Sequence, residues 1–136
     1  MLTLATAKHL AAVALEKADA IGKPITVCIV DVRGLVVYLE RQDGAPEFTS
    51  TTAENKAVGS AFTGRPSAIL AQMATTNPAG AVALSSRLGG RYSPAQGALP
   101  LVHNGRVVGA IGVAGASAEE DEHCARVAID VVLGPG

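Results

Sequence analysis

Aromatic residues are nearly missing from this chain of 136 residues: two Phe, two Tyr and no Trp. Apolar residues still make up 49% of it. The core therefore has to be built from Ala, Val, Leu and Ile, which pack closely but offer few large anchors. Cysteine is scarce as well. Cys28 and Cys124 show no metal-ligand spacing and read as reduced, buried, small apolar residues. Neither charge sign dominates. A net charge of -1 and a pI near 6.3 exclude the basic stripe of a general nucleic-acid or anionic-membrane binder. The charge-free stretch 66–86 is long enough to test as a membrane span, but Gln72, Thr75, Thr76, Asn77, Pro78 and Gly80 interrupt it. Lys8, Glu16 and Lys17 break up the N-terminal apolar residues, so no signal peptide is read there and a cytoplasmic location is expected. Phosphate loop, dinucleotide fingerprint, serine nucleophile elbow and Cys-x-x-Cys-His haem attachment are all missing, and no metal site is expected.

What is present fits one domain, residues 1–136, of a size that buries a core without staples. The stretch Gly97 to Val113 is the most ordered part of the pattern. Asn104-Gly105 is a strong type I′ hairpin signal, flanked by the apolar runs Leu99–His103 and Val107–Val113. Pro100 belongs near a strand start or on an edge, and Gly109 and Gly112 point to close approach by other elements on both faces of the sheet.

From the N-terminus, Thr3 or Thr6 caps a helix to about Ile21, with Leu4, Ala7, Ala11, Ala14, Leu15 and Ala18 on one face and Gly22 at its end. Ile25–Val30 is apolar on both faces and reads as a covered central strand. A turn at 31–34 leads to an antiparallel partner, Leu35–Leu39. Thr51 with Glu54 fits a capping box, with Thr49 or Ser50 as alternative caps, for a helix ending at Gly64 with Ala53, Ala57, Val58, Ala61 and Phe62 inward. Pro66 opens a further helix to about Ala74, with Ile69, Leu70 and Met73 inward, broken by Asn77-Pro78. Ala81–Leu84 reads as a short helix and Gly89–Pro94 as a loop. Ser117 with Glu120 makes a second capping box, and Cys124, Ala125, Ala128, Ile129 and Val132 share the apolar face of a last helix that stops at Gly134-Pro135. Two antiparallel hairpins with segregated helices give an α+β domain.

Three patterns in this order carry a family resemblance. They are Val30–Gly34 leading to Arg41–Pro46; Glu54-Asn55-Lys56-Ala57 followed by Ala61 and Gly64-Arg65-Pro66; and Gly97–Pro100, Asn104-Gly105, Gly109–Gly115 and Asp121. Together they resemble the GlcG/HbpS-like family of small haem-associated proteins, which includes the C-terminal domain of PduO-type proteins. The resemblance spans nearly the whole chain. It implies a profilin-like α+β fold with a five-stranded antiparallel sheet, and a homo-oligomer between dimer and octamer. It also implies a small-molecule ligand, with haem as the candidate cofactor. Gly97-Ala98 and Ala114-Gly115 depart from the Gly-Gly and Ser-Gly that the family commonly shows.

Lys56 matches the family pattern on an Ala-rich helix. It suits a ligand carboxylate or propionate, or a lowered-pKa role; equally it suits an ion pair with Glu54, Asp43 or Asp121. Arg41, Asp43 and Glu47 lie in the preceding loop as ligand-binding candidates or as solvated turn residues. Gly97 and Arg91 are further ligand-binding candidates, Arg91 beside Tyr92 in a loop able to close a pocket. His9 borders the apolar face of the first helix and is the haem-ligand candidate. His103 precedes a turn, where exposure is expected. Asp121, His123 and Lys56 could supply acid and base groups if the last helix starts near the Lys56 helix. Asp121 is also explained as a helix-start carboxylate. Three readings stay open: a homo-oligomeric protein binding haem or a small anionic metabolite, an acid–base enzyme acting on a small carboxylate or ring-cleavage product, and an assembly protein.

Overall fold

The computed structural model describes residues 2–134. Helix α1, Leu4–Ile21, starts at Thr3, whose hydroxyl accepts the Thr6 N–H, and ends at Gly22 with φ 84°. Strands β1, Thr26–Asp31, and β2, Val36–Arg41, form the first hairpin. Its turn is held by Asp31 Oδ1, which accepts the N–H groups of Arg33 and Leu35. Three helices follow: α2, Phe48–Thr63; α3, Ser67–Thr76; and α4, Pro78–Arg87. Strands β3, Ala98–His103, and β4, Arg106–Ala114, form the second hairpin, and α5, Ala118–Val132, ends the described chain. Asn104 and Gly105 have φ values of 51° and 73°, the positive pair that a type I′ turn requires. The expected stop after α5 is met at Gly134, with φ 85°; Pro135 lies outside the described residues.

The sheet has four antiparallel strands in the order β2-β1-β4-β3, which corrects the expected five. The longest segment outside helices and strands, 88–97, is unable to supply a fifth. Gly89 and Gly90 sit at φ 65° and 80°, and Pro94 has no N–H to give to a ladder. Pro100 lies in edge strand β3, as its missing donor demands.

Both faces of the central strands are buried, which explains why β1 reads as a continuous apolar run. On one face α1 and α5 cover Val27, Ile29, Ile111 and Val113; on the other α2 covers Cys28, Val30, Ala110 and Ala114. The α2 side is packed almost wholly with small residues, and Gly112 shows why. A Cβ there would collide with the Ala53 carbonyl oxygen and reach 3.0 Å from Ala57 Cβ. Gly109, on the opposite face, is crowded by Val30 O and by Leu2. Burial pushes the Cys28 thiol up to about 12 and Cys124 up to about 11, so both are inert thiols.

Four local expectations differ from the structure. Leu4, expected on the apolar face of α1, is 52% exposed. The Thr51–Glu54 capping box does not form, because α2 already begins at Phe48 with no side-chain cap at Glu47. Thr49 instead donates to Pro46 O, and Glu54 is drawn away by Arg91. Phe62 and Met73 are 49% and 39% exposed rather than inward. Helix α3 packs against α2, and α4 packs against α3 rather than over the outer face of α2. Phe62 takes the Arg87 guanidinium above its ring instead, 5.2 Å from the centroid.

The Ser117–Glu120 capping box is complete at the start of α5. Glu120 also receives the Lys23 ammonium at 2.6 Å. That hydrogen bond, followed by the Ser117 N–H and hydroxyl, holds its carboxyl down at about 2. The folded value lies below the ordinary 4.5, so the stabilisation is complete above about 4.5 and is lost as pH falls through about 2. Glu120→Gln therefore flattens the acid limb of a plot of Tm against pH in that window. An unchanged acid limb would contradict the assignment.

Candidate functional site

Thr49, Thr52 and Lys56 fall at i, i+3 and i+7 on α2, so they share one face. That face meets the last strand and the first turn of α5. Lys56 is 4% exposed and Asp121 2%. The Lys56 ammonium donates to Asp121 Oδ2 at 3.1 Å and to Val113 O at 3.0 Å. An ammonium carries three donors, and the third has no acceptor among the described residues. Asp121 Oδ1 accepts the Ala116 N–H at 2.9 Å. Burial pushes the Asp121 carboxyl up, against the opposing pull of the Lys56 ammonium and the Ala116 N–H.

Gly97 closes the back of this pair. Its φ is 139°, and a Cβ there would lie 2.7 Å from Lys56 Nζ, 2.6 Å from Val113 O and 3.1 Å from Asp121 Cβ. The Gly97 carbonyl also accepts the Val113 N–H at 3.0 Å. Glycine at this position makes room for the buried ion pair.

In front of the pair lies a cavity of about 270 Å³. The α2 residues Phe48, Thr49, Thr52 and Lys56 form one wall, and Gln96, Ala114–Ala116 and Asp121 form the other. Phe48 is 68% exposed at this cavity. Thr49 is buried and shares a hydrogen bond of 2.9 Å with Thr26 on β1. The volume lies just below the range of about 300–1,000 Å³ usual for drug-sized ligands. It suits a small carboxylate or the carboxylate arm of a larger molecule.

The structure brings Lys56, Asp121 and Gly97 together and leaves the other candidates elsewhere. His123 is exposed and does not line the cavity. It follows Asp121 by two residues, and helical residues so spaced face different directions. Arg41 and Asp43 line a separate open cleft with Asp19, Lys23 and Glu40, and Arg41 donates to Ala45 O at 3.1 Å. Glu47 is exposed at the start of α2. Arg91 is a strut: it donates to Glu54 at 2.8 Å and to Gly34 O at 2.7 Å, tying the 89–96 loop to α2 and the first hairpin turn. His9 and His103 are exposed and line no part of the Lys56 cavity. Thr52, Phe48 and Gln96 were not singled out from the sequence. The i, i+4 relation of Thr52 to Lys56 carries a signal for the first; nothing local marks Gln96. Among the described residues, no three His, Cys, Asp or Glu side chains gather as a metal site. No described helix is long and apolar enough to cross a membrane.

Comparison with known proteins places these features in context. A family model described as "Haem degrading protein HbpS-like" matches residues 2–130. A Citrobacter freundii protein described as an uncharacterized 15.0 kDa protein in the dhaT-dhaS intergenic region is 31% identical, with 95% of this chain and 90% of the relative covered. The crystal structure of HbpS superposes with a TM-score of 0.86 at 30% identity, over 96% of this chain and 89% of that one. The crystal structure of a PduOC–haem complex gives a TM-score of 0.86 at 26% identity, over 96% and 94%. A match across residues 2–130, carried by the same α+β arrangement, shows that this chain belongs to the HbpS-like family.

Proposed function

We propose that the chain is a small-molecule-binding protein whose Lys56–Asp121 cavity receives a carboxylate. The observation that carries this reading is a buried ammonium with one donor to spare on the wall of an open cavity. A carboxylate oxygen there takes a charge-assisted hydrogen bond from Lys56, while the Thr52 hydroxyl is spent on the Phe48 carbonyl.

Haem is the named candidate ligand, supported by the family description and by the haem complex of one solved relative. The cavity fits a propionate and does not enclose a macrocycle. The rest of the molecule would lie outside it, beside exposed Phe48. His9 would be the candidate to hold haem iron, from a second copy in a homo-oligomer of two to eight chains. A small anionic metabolite uses the same carboxylate contact without the ring.

Acid–base catalysis on a small carboxylate is the second reading. One observation favours it: burial raises Asp121 beside a cavity that admits a small molecule. His123 is exposed and does not line that cavity, so the reading rests on Lys56 and Asp121.

Titrating the purified protein with haemin, followed by the visible spectrum and by light scattering, tests the binding reading. A saturable shift at one haem per chain or per pair of chains is expected, weakened by Phe48→Ala and changed in form by His9→Ala. A drift without saturation would remove haem as the ligand. An unchanged spectrum in His9→Ala, His103→Ala and His123→Ala alike would remove histidine ligation.

A further inference from the structure

A second cavity, of about 360 Å³, lies between the C-terminal end of α2 and the α3–α4 pair. It does not touch the Lys56 cavity: the two share no lining residue. Its body is apolar, formed by Leu70, Met73, Ala81 and Leu84, with Tyr92 closing one side. No acidic side chain lines it.

The polar groups on its wall are donors with capacity to spare. The Arg65 side chain makes no ion pair among the described residues, and its guanidinium contact is the Met73 sulfur at 3.9 Å. Asn77 spends its Oδ1 on the Gly80 N–H at the start of α4, which leaves its NH₂ unused. The Tyr92 hydroxyl has no hydrogen-bond partner among the described residues. Thr63, by contrast, is committed to Gly59 O and to the Arg65 N–H.

The chain also accepts a cost to shape this space. Gly59 sits inside α2 without a positive φ, where alanine would be the better helix former on propensity alone. A Cβ at Gly59 would come within 3.0 Å of Leu70 Cδ1 and 3.4 Å of the Tyr92 ring. Two walls of the cavity rest directly on this glycine.

We propose that this second cavity binds a small monocarboxylate with an apolar body, its carboxylate on Arg65 and Asn77 and its body among Leu70, Met73, Ala81 and Leu84. Charge complementarity selects the anion, because each spare polar group is able to donate, no acidic side chain lines the cavity, and one donor is a guanidinium suited to a carboxylate. The apolar walls select against small hydrophilic acids, which would leave them wetted to no gain.

The test uses the full chain with labelled Leu, Met and Ala methyl groups, titrated with benzoate and hexanoate, and with benzyl alcohol as the neutral control. Saturable shifts are expected at Leu70, Met73 and Leu84. Shifts at Ala114, Ala116 and Ala118 report the Lys56 cavity instead, so success or failure at the two sites is read separately. Arg65→Gln should weaken binding at the Leu methyl groups at least about tenfold, since a hydrogen bond to a charged group is worth that or more. Ala81→Phe, filling the cavity from its half-exposed wall, should abolish the shifts with the helical circular dichroism unchanged. The proposal is overturned if neither acid saturates these methyl signals, if benzyl alcohol binds as tightly as benzoate, or if Arg65→Gln binds like the parent. It is also overturned if Ala81→Phe lowers the assembly mass in light scattering, which would make this face a contact between copies of the chain.

Discussion

Replacing Lys56 with methionine destabilises the fold by about 3–5 kcal/mol, the cost of leaving one member of a buried ion pair without its partner. Asp121 is then a 2% exposed carboxylate whose remaining hydrogen bond is the Ala116 N–H. Val113 O loses its Lys56 donor at the same time. The prediction has a sharper second half. Lys56→Met combined with Asp121→Leu removes both charges, and replacing a whole buried pair with apolar groups of similar volume is often neutral or better. Urea titration should show the double variant recovering most of what the single variant loses. A double variant as unstable as the single one would mean that the pair is not the origin of the effect.

Gly112→Ala is expected to cost about 3 kcal/mol or more, the upper end of overpacking penalties, because the obstacle is backbone. The new methyl group would strike the Ala53 carbonyl oxygen and crowd Ala57, so α2 has to lift from β4. Since α2 carries Lys56, a lifted helix also disturbs the ion pair with Asp121. Gly105→Ala is the comparison. Gly105 has open space where a Cβ would go and pays only for φ 73°, about 1–2 kcal/mol. Chemical denaturation of the two variants should rank them clearly. Equal losses would show that α2 does not rest on Gly112 as described.

Much of this fold is written in local signals, and those were readable. Thr3 and Gly22 bound α1, Asn104-Gly105 makes its turn, and Ser117 with Glu120 caps α5, all because the interacting groups lie within a few residues of each other. Gly109 and Gly112 announced close approach because glycine is costly in a strand unless something sits against it. The strand number was misjudged where the family resemblance, not the residues, supplied the expectation: the residues themselves offer two hairpins and four strands. Phe62 and Met73 were placed inward on helical spacing. Spacing tells which residues share a face but not whether another element covers it.

The candidate site was legible in its parts and not in its assembly. Lys56 stood out as a charge among alanines, and Asp121 as one of three partners weighed for it. Their separation of 65 positions carries no pattern that sets their distance; the sheet does that, by placing α2 and α5 at the end of β4. His123 was grouped with Asp121 through nearness in sequence, which on a helix separates side chains two apart. Arg91 belongs to Glu54 and Gly34 O, a pairing that depends on how the 89–96 loop folds back. The second cavity left its trace in Gly59, whose helical position has no local justification.

The measurement that tests the central claim most directly is a calorimetric titration of haemin, and separately of a small dicarboxylate such as succinate, into the Lys56→Met/Asp121→Leu variant. The titrations are run once denaturation has shown that variant to be folded. Binding of haemin or succinate to the parent and its loss in the folded variant is the predicted result. A folded variant that binds as the parent does, or a parent that binds neither, would show that Lys56 and Asp121 hold the fold together and hold no ligand.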